Sequence, residues 1–314
     1  MTQIHPASSL DLIQPSKIRE VANVAFTMEG GYRLHFGEAN IPTPSYIKEA
    51  ATQALDAGYT FYSENAGLPS LRRALAAKTA ELHNVEIDPM GEMVVCASGV
   101  QTLNLMIRCT INPGDEAIVL TPNWPNGTEI IRLYGATPIE VPFHSDGQRF
   151  RINFEALEAA VTPKTKLLLY TSPSNPLGWV ATPEEQDGLL AFCREHGLWL
   201  MADEVYERIY FHGPVSPSIL RRCSRDDAVI VVQSFSKAYC MTGWRLGWAV
   251  ARRDLMSKAQ PINEFIVSHA PTFLQKAGEV ALAKGEDDLL ARAELFQERV
   301  DTCHRMLSSV KGIS

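Results

Sequence analysis

A short motif, Ser234-Phe-Ser-Lys237, holds residue types that could form a covalent bond with a carbonyl compound. Lysine forms Schiff bases with carbonyl carbons once it loses its proton, and partial burial lowers its pKa enough to allow that. The hydroxyls of Ser234 and Ser236 and the guanidinium of Arg245 could bind a phosphate. A surface lysine in a polar turn explains the motif equally well, because short motifs recur by chance.

A carboxylate and a tyrosine follow another apolar run, in Asp203-Glu-Val-Tyr206. A carboxylate at the end of a strand can pair with a pyridine nitrogen and keep it protonated, and that charge makes the ring an electron sink. Tyr206 could donate a hydrogen bond to an oxygen on such a ring. Taken alone, a helix-capping aspartate beside a packed tyrosine is the simpler interpretation, since Asp is a preferred cap.

Three more loops that follow apolar runs hold side chains suited to the same ligand. Asn175 lies between two prolines, which restrict the backbone and fix the direction of its amide. Gly99, after Ser98, lets a phosphate approach the start of a helix, where free N–H groups attract anions. Trp124 offers an aromatic face that can stack on a planar ring. An ordinary turn or a core tryptophan would also explain these residues, but one ligand with a phosphate, a pyridine ring and a carbonyl carbon accounts for all five signals.

Short apolar runs that alternate with longer amphipathic stretches must position these residues. Buried strands are predicted at Met93–Ala97, Ala117–Leu120, Leu167–Tyr170, Leu198–Ala202, Ala228–Val232 and Leu246–Val250. Helices are predicted at Val100–Thr110, Trp124–Tyr134, Phe154–Val161 and Pro183–His196. This alternation predicts an α/β fold with a mostly parallel sheet flanked by helices. The five signals then follow strands, where open α/β sheets bind their ligands.

The region Gln275–Val310 has a different composition, rich in Ala, Leu, Glu, Lys and Arg. It predicts two helices separated at Lys284–Glu286, the second starting near Asp287 and long enough to lead into a smaller domain. The last residues, Val310–Ser314, have a turn signal followed by a β-branched residue. They indicate the beginning of a strand.

The composition of the 314-residue chain excludes several classes of protein. A hydrophobic fraction of 46% can form a sizeable core, and a formal net charge of −7 argues against nucleic acids or acidic membranes as partners. The six cysteines lack CxxC spacing and the eight histidines lack HxxxH spacing, so we expect reduced thiols and no metal site. Because no signal pattern or membrane-length apolar run is present, we expect a soluble, cytoplasmic protein.

Together these motifs give the chain a resemblance to a known family. The resemblance rests on Gly37-Glu, Tyr62…Gly67, Ser98-Gly, Asn175-Pro, Asp203-Glu-Val-Tyr206, Ser234-Phe-Ser-Lys237 and Thr242-Gly-Trp-Arg245-Leu-Gly247. The chain resembles the class I/II aminotransferases, pyridoxal-phosphate (PLP) enzymes of fold type I in the aspartate aminotransferase superfamily, from about Arg33 onward. That fold implies a mostly parallel seven-stranded sheet with flanking helices and a smaller α+β domain.

The resemblance also implies a division of the chain into domains. Residues 1–40 would be an N-terminal segment that joins the small domain. Residues 41–286 would form the large PLP-binding domain, and residues 287–314 would begin the small C-terminal domain.

The resemblance further implies roles for the candidate residues. Lys237 would hold PLP through a Schiff base and then move the proton at the substrate's α-carbon. Asp203 would pair with the ring nitrogen, while Tyr206 and Asn175 would bond the ring oxygen and Trp124 would stack on the ring. The residues expected to line the phosphate are Ser98, Gly99, Val100, Ser234, Ser236 and Arg245.

Substrate and subunit contacts follow from the same resemblance. Gly37, Trp124 and Asn175 would also face the substrate, and the reaction would move an amino group between an L-amino acid and a 2-oxo acid. Tyr62 would reach the phosphate in the neighbouring subunit's site, which implies a homodimer.

The sequence departs from the family pattern at three places. Ala39 replaces the proline that often follows Gly-Glu, and Leu177 replaces a threonine after Asn-Pro. Family members usually run several dozen residues further, through a small domain that carries an arginine for the substrate's α-carboxylate. We can assign that role to no residue here, and we expect this sequence to be part of a longer protein.

Three alternatives to an active aminotransferase stay open at this stage. A PLP-dependent lyase could use the same scaffold, since the motifs are shared. A truncated PLP-binding protein with little activity would also keep these residues. A regulatory module joined to a DNA-binding helix-turn-helix fits less well for two reasons. The segment before Arg33 is too short to hold one, and the chain is acidic, which disfavours DNA as a partner.

Overall fold

A computed structural model describes residues 4–30, 32 and 34–312. Within these ranges the strands are β1 Met93–Cys96, β2 Glu116–Thr121, β3 Thr137–Pro142, β4 His144–Ser145, β5 Phe150–Arg151, β6 Thr165–Thr171, β7 Trp199–Asp203, β8 Val229–Ser234 and β9 Gly247–Ala251. The helices are α1 Lys17–Ala25, α2 Ser45–Asp56, α3 Pro69–His83, α4 Gly99–Arg108, α5 Asn126–Leu133, α6 Phe154–Ala160, α7 Pro183–His196, α8 Phe235–Ala238, α9 Arg253–Ile266, α10 Thr272–Lys284 and α11 Glu286–Leu307. Short 3-10 turns occur at Ser8–Leu12, Ile219–Arg221 and Thr242–Trp244.

Seven strands form one sheet in the order β1-β9-β8-β7-β6-β2-β3, and β4 pairs with β5 in a separate hairpin. Strands β3, β2, β6, β7 and β8 pair in parallel. Strand β9 runs antiparallel to both of its neighbours, β8 and β1. Consequently β1 points the same way as the parallel strands, and the predicted α/β class with a mostly parallel seven-stranded sheet is confirmed.

The central strands are apolar along their whole length because both faces of the sheet are covered. In β7, Leu200 and Ala202 contribute to one buried cluster while Met201, between them, contributes to the other. Each fully buried side chain as large as that of Leu200 or Met201 stabilises the fold by about 1.5–3 kcal/mol. The six strands predicted from apolar runs correspond to β1, β2 and β6 to β9.

The sequence did not predict β3. Its segment TPIEVP contains Pro138 and Pro142, and a proline removes a backbone donor from a strand. The strand nevertheless forms because it lies at the edge of the sheet and pairs only with β2, where one side of its backbone needs no partner.

Local signals set the ends of several helices. Thr182 and Glu185 form a reciprocal capping box at the start of α7, which has Pro183 in its first turn. Gly197 ends that helix with a φ of 66°, a conformation that glycine adopts without strain. The predicted helix from Trp124 is shorter than expected, because Pro125 caps α5 and leaves Trp124 in the loop.

Helices α10 and α11 meet at Gly285, as the interruption in the sequence predicts. A Cβ at this position would lie 2.5 Å from the Ala281 carbonyl oxygen, so glycine permits the close turn. On α11 only Leu289 and Arg292 are buried, near its start. Val310–Gly312 form a turn, whereas Ile313 and Ser314 of the predicted strand, like Arg33, lie outside the described residues.

No helix within the described part of the chain is both long enough and apolar enough to cross a membrane.

Candidate active site

Five strands bring candidate residues to one edge of the sheet. The residues that follow β1, β2, β6, β7 and β8 are Ser98, Trp124, Asn175, Asp203 and Lys237, with Asp203 itself ending β7. Because these strands all point the same way, their carboxyl ends share that edge. Open α/β sheets bind their ligands at this edge, which is therefore the candidate site.

Lys237 lies half-buried in α8, a single helical turn that directly follows β8. Its Nζ donates to the carbonyl oxygen of Gly37 and lies 5.5 Å from the centre of the Tyr206 ring. Burial lowers the pKa of the Lys237 amine, while Glu38 and Asp203 act in the opposite direction. The lysine therefore loses its proton more readily than an exposed lysine does.

Asp203 is 6% exposed at the end of β7, and burial raises the pKa of its carboxyl group to about 6. The backbone N–H of Val205 donates to it at 3.3 Å, and the Lys237 amine also favours the ionised form. An anion in this position attracts a protonated ring nitrogen, because the surroundings of low polarity screen charge poorly.

Tyr206 and Asn175 form a hydrogen-bonded pair next to the lysine. The Asn175 amide nitrogen donates to the Tyr206 hydroxyl at 3.3 Å. A Cβ built on Gly37 would lie 3.6 Å from that hydroxyl and 3.7 Å from the Lys237 Nζ, so the glycine borders the same space. Burial raises the pKa of Tyr206, and its phenol keeps its proton for donation at neutral pH.

The start of α4 meets the start of α8 in a cradle of backbone and hydroxyl groups. Ser98 caps α4 by accepting from Gln101 N at 3.1 Å, and Ser234 caps α8 by accepting from Ser236 N at 3.1 Å. A Cβ on Gly99 would lie 3.1 Å from that of Ser234. Free N–H groups at helix starts and small hydroxyl side chains suit an anion such as phosphate.

Gly247 is a member of this cradle to which the sequence gave no role. Its Cβ would lie 2.5 Å from the backbone nitrogen of Gly99 and 2.7 Å from the carbonyl carbon of Ser98. Only glycine lets β9 approach the start of α4 so closely. The Thr242–Gly247 motif contains this glycine. Gly247 of β9 pairs with Cys96 of β1, and α4 begins three residues after Cys96, so the glycine lies against the start of α4.

Backbone strain occurs at three residues of this site. Ser98, Cys240 and Arg245 adopt φ values of 113°, 53° and 57°, which are rare for residues with side chains. Arg245 Nη1 donates to the Thr242 carbonyl oxygen at 2.6 Å, and its charge lowers the pKa of Lys237. Strain of this kind persists where the surrounding structure holds it, commonly at functional sites.

The segment Gly37–Thr43, which we call the strap, lies against residues 240–244, the loop that follows Lys237 and α8. The Thr242 hydroxyl donates to the Glu38 carboxylate, and the Thr43 hydroxyl donates to the Cys240 carbonyl oxygen. Trp244 Nε1 donates to the Thr43 hydroxyl at 3.0 Å. None of these three contacts was predicted, because side-chain hydrogen bonds between segments about 200 residues apart leave no pattern in a sequence.

The strap forms one wall of a cavity of about 1300 Å³ beside Lys237. Tyr206 and Ile209 line it on the sheet side, and Phe296 and Arg299 of α11 line it on the other. Arg299 Nη1 donates to Asn40 Oδ1 at 3.0 Å, which joins α11 to the strap. Ala39 of the strap also lines this cavity, whereas Leu177 packs against the core.

Three further candidate residues are Trp124, Val100 and Tyr62. Trp124 is half-buried and packs against a core cluster, and Val100 lies in the first turn of α4 after Gly99. Tyr62 is 90% exposed, and its ring meets His269 edge-on at 5.6 Å between centres. Within this single chain, Trp124 and Val100 share the sheet edge with the other candidates, whereas Tyr62 lies on an exposed loop.

One other group of polar side chains lies away from this edge. Glu158, Glu195 and His196 place potential ligand atoms within 4.8 Å of one another. The His196 ring forms a hydrogen bond with Glu158 at 3.0 Å, and this surface contact accounts for the grouping.

Comparison with known proteins gives one consistent family. Residues 31–314 match the family described as aminotransferase class I and II. An aspartate aminotransferase from Pyrococcus abyssi is 36% identical over 87% of this chain and 70% of its own length. An aromatic-amino-acid aminotransferase from Thermococcus litoralis is 33% identical over the same shares. The solved aspartate aminotransferase of Rhizobium meliloti is 32% identical, with a TM-score of 0.90 over 99% of this chain and 78% of that one.

Proposed function

The chain belongs to the class I and II aminotransferases, which depend on PLP, and on that premise we propose that Lys237 binds the cofactor through a Schiff base. The observation that carries this proposal is the half-buried amine of Lys237 at the strand ends, with the buried Asp203 and the Tyr206–Asn175 pair around it. The lowered pKa of the amine supports it, since the neutral amine is the form that attacks a carbonyl carbon.

The donor set at this edge fits pyridoxal phosphate. When bound, the cofactor supplies an aldehyde that takes up the amino group and a protonated ring that withdraws electrons from the neighbouring carbon. Asp203, buried with a single hydrogen bond from Val205 among the described residues, suits the ring nitrogen. Tyr206 and Asn175 suit the ring oxygen, and Trp124 the ring face. The phosphate would be held by Ser98, Gly99, Val100, Ser234, Ser236 and Arg245.

Lys237 would also act as the base and the acid of the reaction. Its Nζ would take the proton from the α-carbon of the amino acid and deliver it to the cofactor's aldehyde carbon. Burial supports this role, because an amine with a lowered pKa is closer to the working pH, where proton transfer in both directions is efficient. The Gly37 carbonyl oxygen, which accepts from Nζ, would hold the amine near the reacting carbon.

We propose an L-amino acid as donor and a 2-oxo acid as acceptor, with Gly37, Trp124 and Asn175 facing the substrate. The relatives are named for different substrates, aspartate in one case and aromatic amino acids in another. Their identities to this chain, 36% and 33%, are too close to favour one over the other. The side-chain preference must therefore come from the residues that line the cavity.

A homodimer is the assembly that we propose, with Tyr62 reaching the phosphate of the neighbouring site. Its support is the exposure of three large side chains, Phe61 at 79% and Tyr62 at 90% on one loop and Phe265 at 85% near the end of α9. Such groups commonly mark protein–protein contacts. We also propose residues 1–40, 41–286 and 287–314 as N-terminal segment, large domain and start of the small domain, and a cytoplasmic location, where cysteines stay reduced.

Substitution of Lys237 tests the proposal directly. We expect K237A to lose the absorbance of lysine-bound PLP and to lose turnover by at least about 10³-fold, because Lys237 is the one lysine that lines the cavity in the described structure. K258A, which removes a lysine from the remote helix α9, is the matched control and should behave as wild type. Wild-type turnover in K237A would refute the role of Lys237.

A panel of amino donors with 2-oxoglutarate or pyruvate completes the test. Loss of the donor's amino group that depends on the 2-oxo acid indicates transfer. Release of ammonia and pyruvate without an acceptor would instead indicate a lyase.

A further inference from the structure

Two carboxylates influence the Lys237 amine, and they come from different parts of the chain. Asp203 ends β7, whereas Glu38 lies in the strap, next to the Gly37 carbonyl that accepts from Nζ. Among the groups that favour the charged amine and so raise its pKa, Glu38 has a larger influence than Asp203. The sequence gave Glu38 no role.

The position of Glu38 is fixed by two contacts. The Thr242 hydroxyl donates to its carboxylate, and its backbone nitrogen donates to the Phe36 carbonyl oxygen at 2.8 Å. Thr242 also accepts, through its backbone carbonyl, from Arg245 Nη1 at 2.6 Å. The carboxylate is thus joined to the same loop that carries Lys237, and it lines the cavity beside that lysine.

The other groups around the amine have tasks of their own under the proposed function, on which this inference rests. Asp203 would pair with the ring nitrogen, and Arg245 would pair with the phosphate. Tyr206, whose ring centre is 5.5 Å from Nζ, would serve the ring oxygen. Glu38 is the one acidic residue that lines the cavity in the described structure, and the proposed function gives its charge no contact with the cofactor.

We propose that Glu38 is a positioning residue for Lys237. Its carboxylate, held by the Thr242 hydroxyl, keeps the strap against the lysine and stabilises the charged form of the amine. That form arises each time Lys237 takes the proton from the substrate's α-carbon, so an anion beside it lowers the energy of the step.

E38Q tests the charge while keeping the shape, because the amide oxygen can still accept from Thr242. In the holoenzyme, the absorbance of lysine-bound PLP changes with pH, and we expect its midpoint to move to lower pH in E38Q. Removing an anion destabilises the protonated nitrogen, which fixes the direction. Turnover at neutral pH should fall by about two- to tenfold with little change in KM.

E49Q is the matched control, since Glu49 is an exposed carboxylate on α2, outside the cavity. Its midpoint and turnover should equal those of wild type. T242V keeps the charge but releases it, so we expect a smaller shift in the same direction as in E38Q. An E38Q enzyme that binds PLP and has the wild-type midpoint would overturn the proposal.

A second measurement needs no activity. In the cofactor-free protein, methylation of Lys237 by formaldehyde and cyanoborohydride, followed by peptide mass spectrometry, reports the neutral amine. E38Q should react about two- to threefold faster than wild type at neutral pH, because the amine gives up its proton more easily. Equal rates would count against Glu38. If wild type shows no lysine-bound absorbance, the proposed role of Lys237 fails, while these rates still decide the influence of Glu38.

Discussion

The two sides of Lys237 are built in different ways. On the sheet side, backbone hydrogen bonds fix the functional residues, as when Ser172 N donates to the Asp203 carbonyl oxygen at 3.0 Å and Glu204 N donates to that of Val232 at 2.9 Å. On the strap side, contacts run mainly through side chains, such as Thr43 with Cys240 and Arg299 with Asn40. The sheet side is buried, whereas much of the strap is exposed.

This difference separates two tasks. A backbone ladder in a buried sheet cannot shift by a fraction of a residue, so the ends of β7 and β8 hold charge at defined positions. Side-chain contacts at the surface contribute less and can rearrange, which suits a wall that borders the substrate cavity. Substitutions on the sheet side should therefore affect the chemistry strongly, and those in the strap should adjust it.

The largest effect should come from Asp203. D203N keeps the shape but removes the negative charge that a protonated ring nitrogen needs, so we expect kcat/KM to fall by roughly 10²–10³-fold. The control is E204Q, which changes the adjacent buried carboxyl group, one that accepts from Ile219 N at 2.9 Å on the other side of the strand. Steady-state kinetics of the two variants measure this difference. If E204Q lost as much activity as D203N, the loss would not be specific to the charge of Asp203.

A smaller effect should appear in the stability of the cofactor-free protein. Burial raises the pKa of Asp203 to about 6, so the folded state binds more protons than the unfolded state between its ordinary pKa and that value, and stability falls as the pH rises through this window. D203N cannot ionise, and its stability relative to wild type should grow by about 1 kcal/mol from pH 5 to pH 7.

Urea unfolding of both proteins at the two pH values measures this difference. Glu204, whose pKa burial raises to about 7, contributes in the same direction in both proteins and cancels. A stability difference that stays constant between pH 5 and pH 7 would mean that Asp203 is less buried than the structure shows.

The smallest effect on activity should come from Thr43 in the strap. T43V removes the hydroxyl that donates to the Cys240 carbonyl oxygen and accepts from Trp244 Nε1, so we expect a loss of about 1–2 kcal/mol in stability and less than tenfold in kcat/KM. T52V, which removes a single exposed hydroxyl bond within α2, is the control. A loss in T43V equal to that in D203N would show that the strap is as rigid as the sheet.

The sequence alone was enough to predict six of the seven strands of the main sheet and to propose where the site lies. Buried parallel strands need continuous apolar runs, so β1, β2 and β6 to β9 were visible in composition alone, as was the break at Gly285. The chemistry was visible for a related reason: residues that follow parallel strands share one edge, whatever the loops between them do. That rule predicts that Asp203, Asn175 and Lys237 lie at the same edge of the sheet.

Three other features became visible in the folded structure alone. Strand β3 contains two prolines and forms because of its edge position, which no local pattern reveals. Gly247 is required because β9 passes the start of α4 at contact distance. Glu38 is held at the cavity beside Lys237 because its carboxylate accepts a hydrogen bond from Thr242, 204 residues later in the chain. Such contacts depend on how distant segments pack, and packing is a property of the folded chain rather than of any stretch of its sequence.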